Sequence, residues 1–409
     1  MSEGDSDGLF RSLRHRPFAF LWSGQAISRV GDSVYTVALA WWVLEQTGSA
    51  ARMGTVLLAT VAPVVVFGLV GGVFVDRLPR LRVMFMADIV RAGVALLMAI
   101  FAASGRLELW EVYTAGALFG LAQAFFQPAY VAAVPEIARA ESLQSANAIS
   151  TLSAQLAQVV GPALGAAFIV VGGAELGFAV NGVSFLVSAL TLLAVNWKSV
   201  RAGGEVSRSM VSEAIEGLSA VGAQPWLWFT IGLASLANVT LAGPMRVTLP
   251  YLLREERDAP AAAYGALLSF GALGAVVMAI WLGRRKQILR PRGPIAYCAW
   301  IVNGLMLLCF AIPAPIPLFW VAALLGGSAL VLFELIWINT LQEMVPRHLL
   351  GRVAGIDYVG SFGLLPVGLL VAGVATDAFG ARGVLVVCGI LTAALPAMGL
   401  LHPRIRRLR

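Results

Sequence analysis

Charge is scarce in this sequence. Only 12% of its 409 residues are Asp, Glu, Lys or Arg, against about 25% in an ordinary soluble protein. That shortage excludes a soluble globular enzyme and a disordered chain, both of which depend on a polar surface. Cysteine is limited to Cys298, Cys309 and Cys388, all inside apolar runs and without paired spacing; buried free thiols are expected. Histidine is limited to His15, His348 and His402, near segment ends, so no metal site is expected. No GxxxxGK(S/T) phosphate loop and no HExxH pair is present, which argues against direct ATP use and against a membrane metalloenzyme. Residues 1–17 are polar and lack an apolar core before a cleavage site, so no cleavable signal peptide is expected. No cofactor is called for.

What the chain has instead is apolar length. Hydrophobic residues make up 59% of it, and its mean hydropathy is +0.83. A crossing helix needs about 20 apolar residues. Apolar stretches fall near 18–44, 53–75, 83–103, 110–133, 148–171, 177–195, 226–252, 262–282, 294–312, 317–340, 353–374 and 383–401. Backbone groups in lipid must be paired internally, so these are predicted helices. Strands of a membrane barrel would alternate apolar and polar residues, and these stretches do not. The expected fold is an all-α polytopic membrane protein of 12 transmembrane helices in two pseudo-symmetric six-helix bundles, 1–195 and 225–409. The polar linker 196–224 joins them. Within it, Ser212–Leu218 reads either as a short amphipathic helix on the membrane surface or as plain linker.

The basic residues are unevenly placed. One set of alternate loops and termini holds 21 of the 29 Lys and Arg, the other set holds five, and Arg29, Arg91 and Arg246 lie inside apolar runs. The positive-inside rule therefore puts both termini and the linker in the cytoplasm. The formal charge of +7 is thereby explained as a topology signal, and no nucleic-acid partner is expected. The halves repeat weakly: Val75-Asp76-Arg77 answers Leu282-Gly283-Arg284, and Val134-Pro135 answers Val345-Pro346. Two related halves imply a site near the midplane.

Gly72-Val73-Phe74-Val75-Asp76-Arg77-Leu78-Pro79-Arg80-Leu81-Arg82, between the second and third stretches, resembles the major facilitator signature GxxxDRxxRx(K/R). Gly161-Pro162-Ala163-Leu164-Gly165 in the fifth stretch resembles the antiporter motif of drug–proton exporters. Trp22-Ser23-Gly24-Gln25, Gly31-Asp32-Ser33 and Glu45-Gln46-Thr47-Gly48-Ser49 are similar to the branch holding macrolide efflux proteins and the enterobactin exporter. Gln127-Pro128-Ala129, Val134-Pro135-Glu136 and Ala146-Asn147-Ala148 fit that branch too. The resemblance implies a cytoplasmic gate built on Gly72, Asp76, Arg77 and Arg80. Gly161 and Gly165 would permit close packing, with Pro162 bending the helix. One departure stands out: Ala115 to Ala132 carries no charge, so the arginine that many drug–proton antiporters place in the fourth helix is missing.

Ionisable groups inside a membrane span cost a few kcal/mol and are functional candidates. Gln25, Arg29, Asp32 and Thr36 share one helical face. Asp32 reads as a proton site or as half of a static pair with Arg29; Arg29 alternatively binds an anionic substrate. Glu334 and Asp357 are further proton-coupling candidates. Glu334 is also open to a cationic substrate or a structural arginine, and Asp357 to a place beside Arg77 or Arg80 at the gate. Asp88 and Arg91, three apart, are expected to brace the gate loop. Gln123, Gln127, Tyr130, Gln155, Gln158, Asn238 and Trp337 complete the expected cavity lining; interhelical hydrogen bonding is the alternative role for the amides.

The sequence thus points to a non-enzymatic exporter of a hydrophobic or amphipathic small molecule (a drug, antibiotic or secondary metabolite) by proton antiport with alternating access. A siderophore, metal or lysolipid exporter on the same fold is the alternative. The expected setting is a bacterial inner membrane, with small molecule, protons and lipid as partners and the chain as a monomer.

Overall fold

The computed structural model describes residues 8, 10–195, 218–219, 221–222, 224–285, 290–346, 349–401 and 403–406. Of these, the side chains of 69–77, 140, 351 and 404 fall outside the description, as does most of the linker, including 212–217. Among the described residues the structure is helical, with no strand. The principal helices are α1 (Arg16–Thr47), α2 (Ala50–Arg77), α3 (Arg80–Ala103), α4 (Leu109–Ile137), α5 (Leu143–Leu193), α6 (Pro225–Gly243), α7 (Ala261–Gly283), α8 (Arg292–Ala311), α9 (Ile316–Met344), α10 (Leu350–Phe362), α11 (Leu365–Phe379) and α12 (Ala381–Leu401).

Among the described residues, ten helical spans are long and apolar enough to cross a membrane. Two features separate that number from the twelve expected stretches. The 51 residues of α5 would reach about 77 Å as one helix, far more than a bilayer. They are broken at Gly172 and Gly173, and Gly173 has a φ of +69°, a backbone state that glycine adopts without steric cost. The two limbs match the fifth and sixth stretches. The other feature is α1, whose Gln25, Arg29 and Asp32 dilute its hydropathy; it is not among the ten.

Two other spans depart from regular helix. α6 continues through wide π-helical turns at Pro244–Thr248 and Leu252–Glu256; Pro244 and Pro250 each lack an N–H donor. The eleventh stretch is split into α10 and α11 at Gly363–Leu364, with Pro366 in the first turn of α11, where its missing N–H costs nothing. Asn238 of α6 donates to the Ser361 carbonyl at 2.9 Å, just ahead of that split.

The chain separates into two compact units. The first holds residues 1–46 and 59–205; the second holds 47–58 and 206–409. In the first, Phe18, Leu21, Leu81, Met84, Phe126 and Ile149 form a core cluster. In the second, Leu227, Leu341 and Val353 form one cluster and Tyr297, Trp300 and Ile336 another. Small residues let backbones touch. A Cβ on Gly304 of α8 would lie 2.7 Å from the Gly389 carbonyl of α12. Large apolar residues such as Val170, Leu97 and Ile100 are exposed, as lipid-facing positions are.

The cysteines correct a sequence expectation. Cys298 is exposed, while Cys309 and Cys388 are intermediate. In a membrane helix an apolar run serves the lipid-facing side as well as the core, so apolar neighbours do not imply burial.

Candidate functional site

The first unit contains a polar seam inside its helices. Asp88 and Arg91 of α3 are 0% and 3% exposed and form an ion pair. Three residues of spacing put both on one face of α3. Ser188 of α5 donates to Asp88 at 2.7 Å, and Gln25 of α1 donates to Ser188 at 2.9 Å. Arg91 donates to Gln123 of α4 at 3.0 Å. Its guanidinium lies 4.3 Å from the ring centres of both Phe126 and Phe185, a cation–π arrangement. Four helices thus meet through one buried pair.

Asp32 adjoins this seam. It is half-buried on α1. At its neighbour Gly31, α1 comes against the second limb of α5: a Cβ there would lie 2.8 Å from Asn181 Oδ1 and would strike Ser184. Asn181 is fully buried. Arg29 is turned to the first limb of α5, donating to the Ser150 carbonyl at 2.6 Å with its guanidinium 5.3 Å from the Tyr130 ring centre. The Tyr130 hydroxyl bonds Ser150 at 3.1 Å. Two carboxylates and two guanidiniums therefore balance within this unit.

Several sequence expectations are corrected by this arrangement. Asp88 and Arg91, expected at the gate loop, are turned by their helical phase into the bundle; the side chains of 69–77 in that loop lie outside the described residues. Gln123 takes the alternative role of an interhelical hydrogen bond, accepting from Arg91, and Gln25 is likewise committed, donating to Ser188. Tyr130 is buried. Arg29 and Asp32 do not form the static pair, since Arg29 finds a carbonyl on another helix. Thr36 is exposed and donates back to the Asp32 carbonyl at 2.9 Å. Gln127 and Gln158 are exposed and Gln155 is half-buried. Beside the uncharged fourth stretch, the Arg91 guanidinium of α3 reaches Gln123.

At the sequence signature, the side chains of Gly72, Asp76 and Arg77 lie outside the described residues. Arg80 is described: it pairs with Glu136 of α4 and donates to the Ala132 carbonyl at 3.2 Å. In the second limb of the motif pair, Gly161 lies against Ser33 of α1 without room for a Cβ, and a Cβ on Gly165 would sit 3.0 Å from the Val34 carbonyl. Pro162 is buried beside them.

The second unit carries the other candidates. Trp337 Nε1 donates to Asp357 at 3.0 Å, and Ser361 donates to it at 3.3 Å. The Phe333 ring stacks on Trp337 at 6.4 Å and Trp226 meets it edge-on at 5.8 Å. Glu334 is exposed on α9. Trp337 also lines a recess with Thr230, Tyr297, Phe333, Thr340 and Arg292. Arg292 reads from sequence as a loop residue, yet its side chain is 5% exposed and pairs with Glu343 at 2.7 Å. Asn238 is committed to the Ser361 carbonyl. Ser188, Asn181 and Arg292 were missed from sequence. Asn181, Ser184 and Ser188 lie on one helical face (i, i+3, i+7), the signal that could have found two of them. Among the described residues no group of three His, Cys, Asp or Glu could hold a metal ion.

Comparison with known proteins follows this geometry. A multidrug efflux pump, Tap, of Mycolicibacterium fortuitum is 29% identical, over 92% of this chain and 93% of its own. Macrolide efflux protein A of Streptococcus pyogenes is 23% identical, over 91% and 93%. Among solved structures, a bacterial homologue of the iron transporter ferroportin in an inward-facing state superposes with a TM-score of 0.71 at 15% identity, covering 93% of this chain and 99% of that one. A POT family transporter gives 0.73 at 10% identity, covering 95% and 96%. These two likenesses speak to fold alone. The family described as transmembrane secretion effector matches residues 8–407. The chain belongs to that family, a non-enzymatic transporter branch of the major facilitator superfamily, and is a multi-pass membrane protein.

Proposed function

We propose that the chain exports a hydrophobic or amphipathic small molecule, in the class of drugs and antibiotics, in exchange for protons. The family and the multidrug and macrolide efflux relatives support export. The observation that carries the coupling is Asp32: a half-buried carboxylate in a membrane helix, next to Gly31, where α1 packs on Asn181 and Ser184 of the limb that also carries Ser188 to Asp88. An intramembrane carboxylate in such a place is a functional group by default.

Asp32 takes the proton from one side and gives it up on the other. Asp88, Ser188, Gln25, Gln123 and the two rings hold Arg91 still, so the buried pair of this bundle stays fixed and only the access of Asp32 to water changes. The two halves of the chain rock about a midplane site, the working mode of transporters built from repeats. Both termini lie in the cytoplasm of a bacterial cell, following the uneven placement of Arg and Lys. The chain acts as a monomer. Glu334 and Asp357 are the next coupling candidates, in the second unit.

The test is drug susceptibility of an efflux-deficient bacterium expressing the chain, with Asp32→Asn at equal membrane abundance. The panel holds macrolides, tetracyclines, chloramphenicol, quinolones and lipophilic cations. Resistance in the wild type that vanishes in Asp32→Asn is the expected result. Resistance that survives moves the proton to Glu334 or Asp357. No resistance to any compound refutes drug export and leaves siderophores, lipids and metals.

A further inference from the structure

The start of α2 is held by a carboxylate from a distant part of the chain. Asp377, near the end of α11, accepts from the Ala50 backbone N–H at 2.7 Å, the Ala51 N–H at 3.1 Å and the Ser49 hydroxyl at 2.6 Å. These residues are 326 to 328 positions apart. A helix amino end offers unpaired N–H groups and a positive dipole, and a carboxylate satisfies both. Ser49 caps the same turn locally, accepting from Arg52 N–H at 3.3 Å. α2 therefore has a cap of its own and does not need Asp377 to begin.

The backbones touch along the same contact. A Cβ on Gly373 would lie 2.5 Å from the Ala50 carbonyl, and a Cβ on Gly54 would lie 2.5 Å from the Leu369 carbonyl. No side chain interposes, so this end of α2 is seated directly on α11. The charge of Asp377 is met by the helix end.

The other part of α2 is held elsewhere. Residues 47–58 pack in the second unit, and from Ala59 onward the helix belongs to the first. There Gly120 of α4 comes against the Thr60 carbonyl, with Pro63 Cβ 3.3 Å from a Cβ placed on it. Pro63 lies inside α2 and has no N–H for the carbonyl four residues back. That carbonyl is Ala59, where the unit boundary falls. One continuous helix is thus held in the second unit over its first turns and in the first unit at Thr60 and Pro63, with its weakest hydrogen-bond step at the boundary.

We propose that Asp377 is a releasable latch. It holds the amino end of α2 on α11, and the contact opens and re-forms once in each transport cycle. The proposal rests on the alternating access stated above. A rigid α2 cannot follow both units when they rock, so either its first turns leave α11 or the helix bends at Pro63. The latch is fit for release: its acceptor is a carboxylate that water can solvate, and Ser49 keeps α2 capped after it lets go.

Two measurements test this in a background with Cys298, Cys309 and Cys388 replaced by serine. The first is the distribution of distances between spin labels at Trp110→Cys and Leu318→Cys, both exposed in their own units. Asp377→Ala is expected to change the ratio of the two distance populations about tenfold, the effect of losing a charged cap. Asp377→Asn, which keeps the shape, is expected to fall between it and wild type and guards against misfolding. An unchanged ratio in both variants overturns the latch. The second is ethidium efflux with Ser49→Cys/Asp377→Cys, which places two thiols where the hydroxyl and carboxylate now meet. Efflux is expected to stop on oxidation and return on reduction. A fully cross-linked protein that still exports overturns the latch. If the serine-substituted parent, with Ser49 and Asp377 in place, moves no ethidium, the export reading is what fails, and the distance ratio decides the latch alone.

Discussion

Removing Asp88 is expected to cost more than removing Asp88 and Arg91 together. Both side chains are buried, at 0% and 3% exposure. At an effective dielectric near 20, unit charges at contact attract by roughly 4 kcal/mol. Asp88→Asn deletes that attraction and leaves the guanidinium among Phe126 and Phe185 with Gln123 as its neutral partner. The rings return about 0.5–2 kcal/mol of the loss. Breaking a buried pair on one side typically costs about 3–5 kcal/mol. A neutral amide bond in a membrane interior is worth only about 0.6 kcal/mol on average, so the charge decides the outcome. We expect Asp88→Asn and Arg91→Gln each to destabilise by about 3 kcal/mol. The double variant, which leaves no uncompensated charge, is expected to lose less than either. The assay is equilibrium unfolding of the purified protein in mild detergent, read by tryptophan fluorescence as a double-mutant cycle. A double variant whose loss equals the sum of the singles would refute the reasoning, because it would mean the two charges act independently.

Two more outcomes follow from contacts described above. Gly165→Leu is expected to push α5 away from α1, since even a Cβ would meet the Val34 carbonyl at 3.0 Å; the check is monodispersity on gel filtration, and a well-folded, fully active variant would contradict the close packing. Trp337→Phe keeps the ring against Phe333 but removes the donor to Asp357; a stability loss of about 1–2 kcal/mol is expected, against little or no further loss when it is combined with Asp357→Leu.

The membrane class, the helices and the family were legible because they depend on composition and local order. Apolar length dictates helix in lipid whatever the neighbours are, and the signature motifs are contiguous in the chain. The break at Gly172–Gly173 falls between two predicted stretches for the same reason: a bilayer cannot hold 51 residues of helix in one pass. The split at Gly363–Leu364 was hidden, because an uninterrupted apolar run reads as one helix even where its backbone turns.

The partners of polar side chains were not legible. Gln25, Arg29 and Asp32 share a helical face and read as one stripe. In the structure Gln25 reaches Ser188 and Arg29 reaches Ser150, on different limbs of α5. A few tens of degrees around a helix, and the length of a side chain, choose the partner; periodicity resolves neither. Asp88 and Arg91 read as gate residues from their nearness to the signature, yet a membrane bundle drives its charges inward to one another.

Sequence by itself determined that this is a helical membrane transporter of the major facilitator kind, through hydrophobicity, charge placement and short motifs. Only the tertiary structure decided which charges are paired, which amides are spent, and that Asp377 meets the start of α2. Burial of an apolar span is a property of each segment and its solvent, so it is written locally. The choice of a hydrogen-bond partner is made between separate helices, so it exists only once they pack.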